Sequence, residues 1–93
     1  MFASVIEMQV NTGNIDELID FIQNSDIDQI DGMRQFIVID RGNDRALGIA
    51  IYDNQEQQES AGPKARELLG KMSSFLSAPP NRQGCAVLVN KSL

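Results

Sequence analysis

Apolar and polar residues alternate through the first ten positions. Phe2, Ile6, Met8 and Val10 fall on one side with Ser4, while Ala3, Val5, Glu7 and Gln9 fall on the other, so a strand is predicted over residues 2–10. Asn11-Thr12-Gly13 breaks the alternation. A helical period follows, with Ile15, Leu18, Ile19 and Ile22 at i, i+3, i+4 and i+7. Asn14 stands where an N-cap is needed, Glu17 completes a capping-box-like pair, and Asp16 adds to an acidic first turn. The helix should fade near Asn24–Ser25, and Asp26 to Gly32 then reads as a connector closed by the turn pair Asp31-Gly32.

Two further apolar runs, Met33 to Asp40 and Arg45 to Asp53, flank Arg41-Gly42-Asn43-Asp44, whose Gly and Asn tolerate the positive φ of a hairpin. Asn54 caps the next helical stretch, with Gln57 in the capping-box position. Ala61, Ala65, Leu68, Leu69, Met72, Phe75 and Leu76 form one stripe that Gly62-Pro63 interrupts. Proline lacks an amide hydrogen and clashes with the preceding turn, so the stretch divides into a short helix near 55–61 and a longer one over 63–76 opened by Pro63. Ala78-Pro79-Pro80-Asn81 is an extended linker, and Gly84 to Asn90 is the last strand. The order is strand, helix, strand, strand, helix, strand. It predicts one α+β domain over residues 1–93 with the ferredoxin-like βαββαβ fold, a four-stranded antiparallel sheet carrying both helices on one face.

An antiparallel sheet with one wet face should be polar on that face. With Arg41 to Asp44 as a four-residue loop, Phe36, Val38, Leu47 and Ile49 share the face under the helices. The opposite face then carries Ile37, Ile39, Ala46, Gly48, Ala50 and Tyr52, which is also largely apolar. Helices cover only one side, so a second copy of the chain is the expected cover for the other. In the same register Glu7, Gln9, Gln35 and Tyr52 are the polar side chains turned toward that second face. They are the candidate ligand contacts. Glu7 in such a setting is a candidate base, and its structural alternative is an ion pair with Arg34 or Arg82.

Composition narrows the chemistry. Histidine is absent, which removes imidazole acid–base catalysis, Ser-His and Cys-His nucleophiles, and histidine ligation of metal or haem. Eight basic against thirteen acidic residues leave a formal charge of −5, which disfavours nucleic acid and anionic lipid as partners. The run Arg45 to Tyr52 superficially matches an RNA-recognition strand, but Leu47 and Ile49 stand where stacking aromatics are required. Asp26, Asp28 and Asp31 fail as a calcium loop, because the sixth position is Asp31 and the twelfth is Ile37. No apolar run approaches the ~20 residues of a membrane span. No basic region precedes the first apolar stretch, and the single Cys85 can form no internal disulfide, so a cytoplasmic location is expected. No cofactor-binding motif is present, and none is expected.

Three stretches carry a resemblance. The first strand running into Thr12-Gly13-Asn14-Ile15-Asp16-Glu17-Leu18, the turn Asp31-Gly32-Met33, and Gly48-Ile49-Ala50-Ile51-Tyr52-Asp53-Asn54-Gln55-Glu56 entering a broken helix resemble the dimeric α/β-barrel proteins related to antibiotic-biosynthesis monooxygenases. The likeness spans nearly the whole chain and rests on pattern and turn positions. It implies a homodimer whose sheets close face to face into a barrel, with a cavity in each subunit between sheet and helices. That group includes cofactor-free oxygenases of aromatic polyketides, haem-degrading enzymes and members of unknown activity. Oxygenase and haem-degrading members place Trp and Asn, with His in the haem case, around the ligand. Here Trp and His are absent and Asn14 and Asn54 are read as caps, so no catalytic residue carries over. The leading expectation is an uncharacterised homodimer binding a small apolar or aromatic molecule. Its alternatives are a cofactor-independent monooxygenase acting on an electron-rich aromatic, and an ACT-like regulatory module that binds its effector between subunits.

Overall fold

The computed structural model describes residues 1–93. Its elements are β1 (Phe2–Gln9), α1 (Ile15–Gln23), a 3-10 turn (Asp26–Gln29), β2 (Met33–Gly42), β3 (Arg45–Tyr52), α2 (Gln55–Ser60), α3 (Gly62–Lys71), a second 3-10 turn (Ser73–Phe75) and β4 (Asn81–Ala86). The strands form one antiparallel sheet in the order β2-β3-β1-β4, the ferredoxin-like α+β arrangement that the chain pattern predicts.

The helix starts differ in how they are capped. Asn54 has extended backbone and its side chain accepts the Gln57 amide at 2.9 Å, as its position suggests. Asn14 does not cap in this way. Its φ of −102° and ψ of 8° turn it out of the extended region, and its side-chain amide donates to the Glu17 carboxylate instead. Ala61 closes α2 and opens α3, with Pro63 in the first turn of α3, so proline sets the break where the sequence places it.

Two boundaries move from their expected positions. The last α-helix stops at Lys71 rather than Leu76, tightening into the 3-10 turn Ser73–Phe75 before the chain becomes extended at Leu76. Its end is taken over by the sheet: the Asn11 amide donates to the Phe75 carbonyl at 2.8 Å, and the Ser77 amide to the Gln9 carbonyl at 3.0 Å. Backbone pairing with the end of β1 outweighs helical propensity there. The final strand is Asn81–Ala86 rather than 84–90, because its ladder with β1 runs only from Glu7↔Asn81 to Phe2↔Ala86.

The largest correction concerns the hairpin. Asn43 and Asp44, at φ 56° and 60°, make a two-residue turn, and Gly42 at φ 80° pairs with Arg45. Asp40 pairs with Ala46, so Arg41 is an extra residue that bulges out of the ladder. That single residue turns every following β3 side chain to the opposite face. Ala46, Gly48, Ala50 and Tyr52 lie under the helices with Phe36 and Val38, whereas Leu47 and Ile49 lie outside with Ile39 and Ile37. The small residues on β3 admit the Phe36 ring, since a Cβ on Gly48 would stand 3.4 Å from Phe36 Cζ.

The core fills the space between sheet and helices in two clusters. One gathers Ile6, Met8, Val10, Leu18, Ile22, Ala46, Met72 and Leu76, and the other Ile30, Ala50, Tyr52, Ala61 and Leu68. No helix is long and apolar enough to cross a membrane.

Candidate ligand cavity and outer sheet face

Where the two clusters meet, packing is incomplete. β1 contributes Ile6 and Met8, β2 Met33 and Phe36, and β3 Ala50. The helical side adds Ile22 from α1, Ile27 and Ile30 from the connector, and Ala65, Leu68, Leu69 and Met72 from α3 and its end. These twelve side chains, all hydrophobic, line a cavity of about 20 Å³. A space of that size admits about one water-sized sphere, yet water needs polar partners and finds none on these walls. Met8, Met33 and Met72 are flexible and polarizable, so the cavity can change shape at low cost. The lining contains no acid, base or nucleophile. Nowhere in the fold do three or more His, Cys, Asp or Glu side chains stand together as a metal site would require.

The sheet face away from the helices is the second feature. Three cross-strand rows build it: Gln35, Ile51, Ala3 and Cys85; Ile37, Ile49, Val5 and Gln83; Ile39, Leu47, Glu7 and Asn81. Ile37 is 40% exposed and Ile39 43%. The centre of the face is aliphatic, and the polar residues lie at its margins.

Of the four candidate ligand contacts, Glu7, Gln9 and Gln35 do lie on this face, exposed. They do not converge. Glu7 and Gln9 stand at the hairpin end, where the Gln9 amide donates to the Asp44 carbonyl at 3.3 Å, and Gln35 stands at the other end two strands away. Tyr52 departs from the expectation entirely. The Arg41 bulge turns it inward, where it is 1% exposed among Ile30, Ala50, Ala61 and Leu68. Glu7 takes no ion pair with Arg34 or Arg82. Arg34 instead makes a two-pronged bond to Asp53, at 2.9 and 2.7 Å. That hydrogen-bonded guanidinium holds the Asp53 carboxyl below its ordinary value, and Asp53 raises Arg34 in turn.

One polar cluster is invisible in the sequence. Gln58 sits in the hydrophilic run Gln55-Glu56-Gln57-Gln58, yet it is buried and its amide donates to Ser4 Oγ at 2.9 Å. Arg82 donates to the Gln58 carbonyl at 3.3 Å. The available signal was Ser4 itself, a hydroxyl in the middle of an apolar strand face, which needs a partner when buried.

Neither a family model nor a curated protein matches this chain. Solved structures do. NE2512, a protein of unknown function from Nitrosomonas europaea, superposes with a TM-score of 0.79 at 18% identity, covering 99% of this chain and 93% of that one. The monooxygenase from the gene ActVA-Orf6 of Streptomyces coelicolor, solved with nanaomycin D, gives 0.77 at 16% identity over 99% and 91%. A Nitrosomonas europaea protein provisionally assigned as an antibiotic biosynthesis monooxygenase gives 0.76 at 10% over 96% and 100%. The chain has the fold of the antibiotic-biosynthesis-monooxygenase-like proteins. Within that fold, its cavity lies between sheet and helices, where the resemblance implies one.

Proposed function

We propose that this protein is a cytoplasmic homodimer that binds a small apolar or aromatic molecule in each subunit and performs no acid–base chemistry on it. The observation that carries this reading is the cavity lined by twelve hydrophobic side chains and no polar one. Burial of apolar surface is the only binding force such walls offer, so they select for hydrophobic shape. A ring-sized ligand needs more room than the cavity provides, and the three methionines and the connector bearing Ile27 are the parts able to yield. The homodimer rests on the aliphatic outer face, which the helices leave uncovered and where Ile37 and Ile39 stand 40% and 43% exposed. Glu7, Gln9 and Gln35 then become polar residues at the margin of that pairing. An unpaired Cys85 suits a reducing compartment.

Cofactor-independent oxygenation is the rival reading, supported by the fold shared with the monooxygenase from ActVA-Orf6. Such a reaction calls for a proton acceptor beside the substrate, and the cavity offers none. A thermal-shift screen with apolar, aromatic and amino-acid ligands, followed by oxygen uptake on each hit, separates these readings. The proposal expects a rise in melting temperature with apolar or aromatic compounds and no oxygen consumption. Oxygen uptake with an electron-rich aromatic would establish the oxygenase, and a response confined to amino acids would indicate an ACT-like effector site. If no ligand class moves the transition, small-molecule binding is wrong.

A further inference from the structure

The groove between α3 and the start of β4 carries positive charge that nothing around it neutralises. Arg66 on α3 and Arg82 on β4 both line it, with Ser73, Asn81 and a wall of Pro79 and Pro80. Its volume is about 600 Å³, within the range of small-molecule sites. No carboxylate lines it, in a chain with thirteen acidic residues against eight basic. The ion pairs lie elsewhere: Arg34 holds Asp53, and Glu67, the neighbour of Arg66, stands between Lys64 and Lys71 at 3.9 and 3.6 Å. The fold also brings the two guanidinium groups to one corner. Arg82 is level with Ile6 in the ladder and, like it, points to the helix side, where its Nη2 donates to the Gln58 carbonyl at 3.3 Å. Its Nε is buried with no acceptor. Arg66 reaches back along α3, so that a Cβ on Gly62 would stand 3.1 Å from its Nη1. Gln58 and Gly62 are one helical turn apart across the Ala61 junction, so both cations gather there. Like charges held this close raise the free energy of the site, and an anion between them lowers it.

We propose that this groove binds a doubly charged oxyanion, the phosphate monoester of a small organic molecule. A phosphate dianion balances two guanidinium groups and offers three acceptor oxygens on one centre, which suits planar donor forks arriving from two different elements. Ser73 and Asn81 add neutral donors along the same groove. Pro79 and Pro80, whose rings fix φ, hold an apolar side with Leu69 and Ala78, against which the organic part can lie. The overall charge of −5 opposes nucleic acid, which needs a long basic track, but a small dianion needs only the two aimed cations. The groove shares Leu69 alone with the apolar cavity. It lies on the helix side of the sheet, so it stays open when two outer faces pair. The assignment therefore rests neither on the cavity's ligand nor on the homodimer.

The test titrates the full chain with phenyl phosphate, inorganic phosphate and phthalate at low salt and mildly alkaline pH, where the monoester is a dianion. Binding is read by NMR on the backbone amides and on the arginine Nε signals. Phenyl phosphate should shift the Arg66 and Arg82 side chains and the amides of residues 73 and 78–82, and it should bind more tightly than inorganic phosphate. Arg66→Gln should weaken it roughly tenfold or more, the size of one charge-assisted contact. Arg82→Lys, which keeps the charge and loses the fork, should weaken it as well. Lys91→Gln removes the same charge at an exposed position beyond the far end of β4 and should change nothing. Should Arg82→Lys fail to fold for want of the Gln58 contact, Arg66→Gln decides, because Arg66 is exposed and belongs to none of the ion pairs. No localised shift at millimolar phenyl phosphate overturns the site. Equal losses in Arg66→Gln and Lys91→Gln also overturn it, since they mean general attraction to charge. Phthalate binding as tightly as phenyl phosphate overturns the phosphate assignment, and inorganic phosphate binding as tightly overturns the organic part. None of these results bears on the apolar cavity, which the thermal-shift screen tests by itself.

Discussion

Ile37→Asp is the most direct probe of the outer sheet face. Ile37 lies in the middle row of that face, opposite Ile49, and leaves 40% of its surface in water. On an isoleucine that is roughly 75 Å², which at ~25 cal/mol per Å² is worth about 2 kcal/mol once a partner covers it. In the proposed homodimer two-fold symmetry would place the residue on both copies, so the substitution is expected to remove about 4 kcal/mol from association, roughly a thousandfold in Kd. Burying a carboxylate against isoleucine adds a desolvation cost, so the observed loss should exceed that figure. The monomer itself should tolerate the change, because the side chain faces away from both core clusters. Sedimentation velocity over the micromolar range, with far-UV circular dichroism as the folding control, reads both effects. Gln23→Asp, exposed on α1, is the matched substitution elsewhere and should leave association unchanged. A wild-type chain that sediments as a monomer at tens of micromolar, or an Ile37→Asp protein as tightly associated as wild type, would refute the reasoning.

Three further outcomes follow from the geometry. Ser4→Ala strands the buried Gln58 amide and should cost about 1–3 kcal/mol in urea unfolding, whereas Ser4→Ala combined with Gln58→Leu should recover part of the loss. Asp44→Gly relieves a non-glycine residue held at φ 60° and converts the turn to Asn-Gly, so stability should rise by up to ~1 kcal/mol with the hairpin register unchanged. Asp53 has its folded value held below the ordinary 3.8, so the stability it lends is present above that value and lost as pH falls through the folded value. Asp53→Asn should therefore lower stability slightly near neutrality, with the difference from wild type vanishing in acid. Added salt should erase the difference too, because the pair is solvent-exposed.

Much of the architecture was legible along the chain. Period-two and period-3.6 patterns give the number and order of strands and helices, with the last helix shorter and the last strand earlier than expected, Pro63 divides the last helical stretch, and the turn chemistry of Asp31-Gly32 and of Arg41-Gly42-Asn43-Asp44 marks the connections. The candidate site was less so. Strand alternation places Glu7, Gln9 and Gln35 on the face where they lie, but strand position says nothing about which residues converge. Alternation alone puts Tyr52 on the wrong face because one bulged residue, Arg41, changes the parity of the hairpin. Ala46, Gly48 and Ala50 held the missing clue, since a strand of alternating small residues marks the side against which large ones pack.

Local pattern thus determined the order of elements, and apolar residues on both sides of the sheet were visible before any fold was known. Side-chain periodicity is a property of neighbours in sequence, and it survives without tertiary context. What only the folded chain decided was parity and convergence: which side of β3 is inside, that Gln58 is buried on Ser4, and that twelve apolar side chains from sheet, connector and helices leave a gap between them. Those depend on pairings between distant residues, where a single extra residue in one ladder exchanges inside for outside.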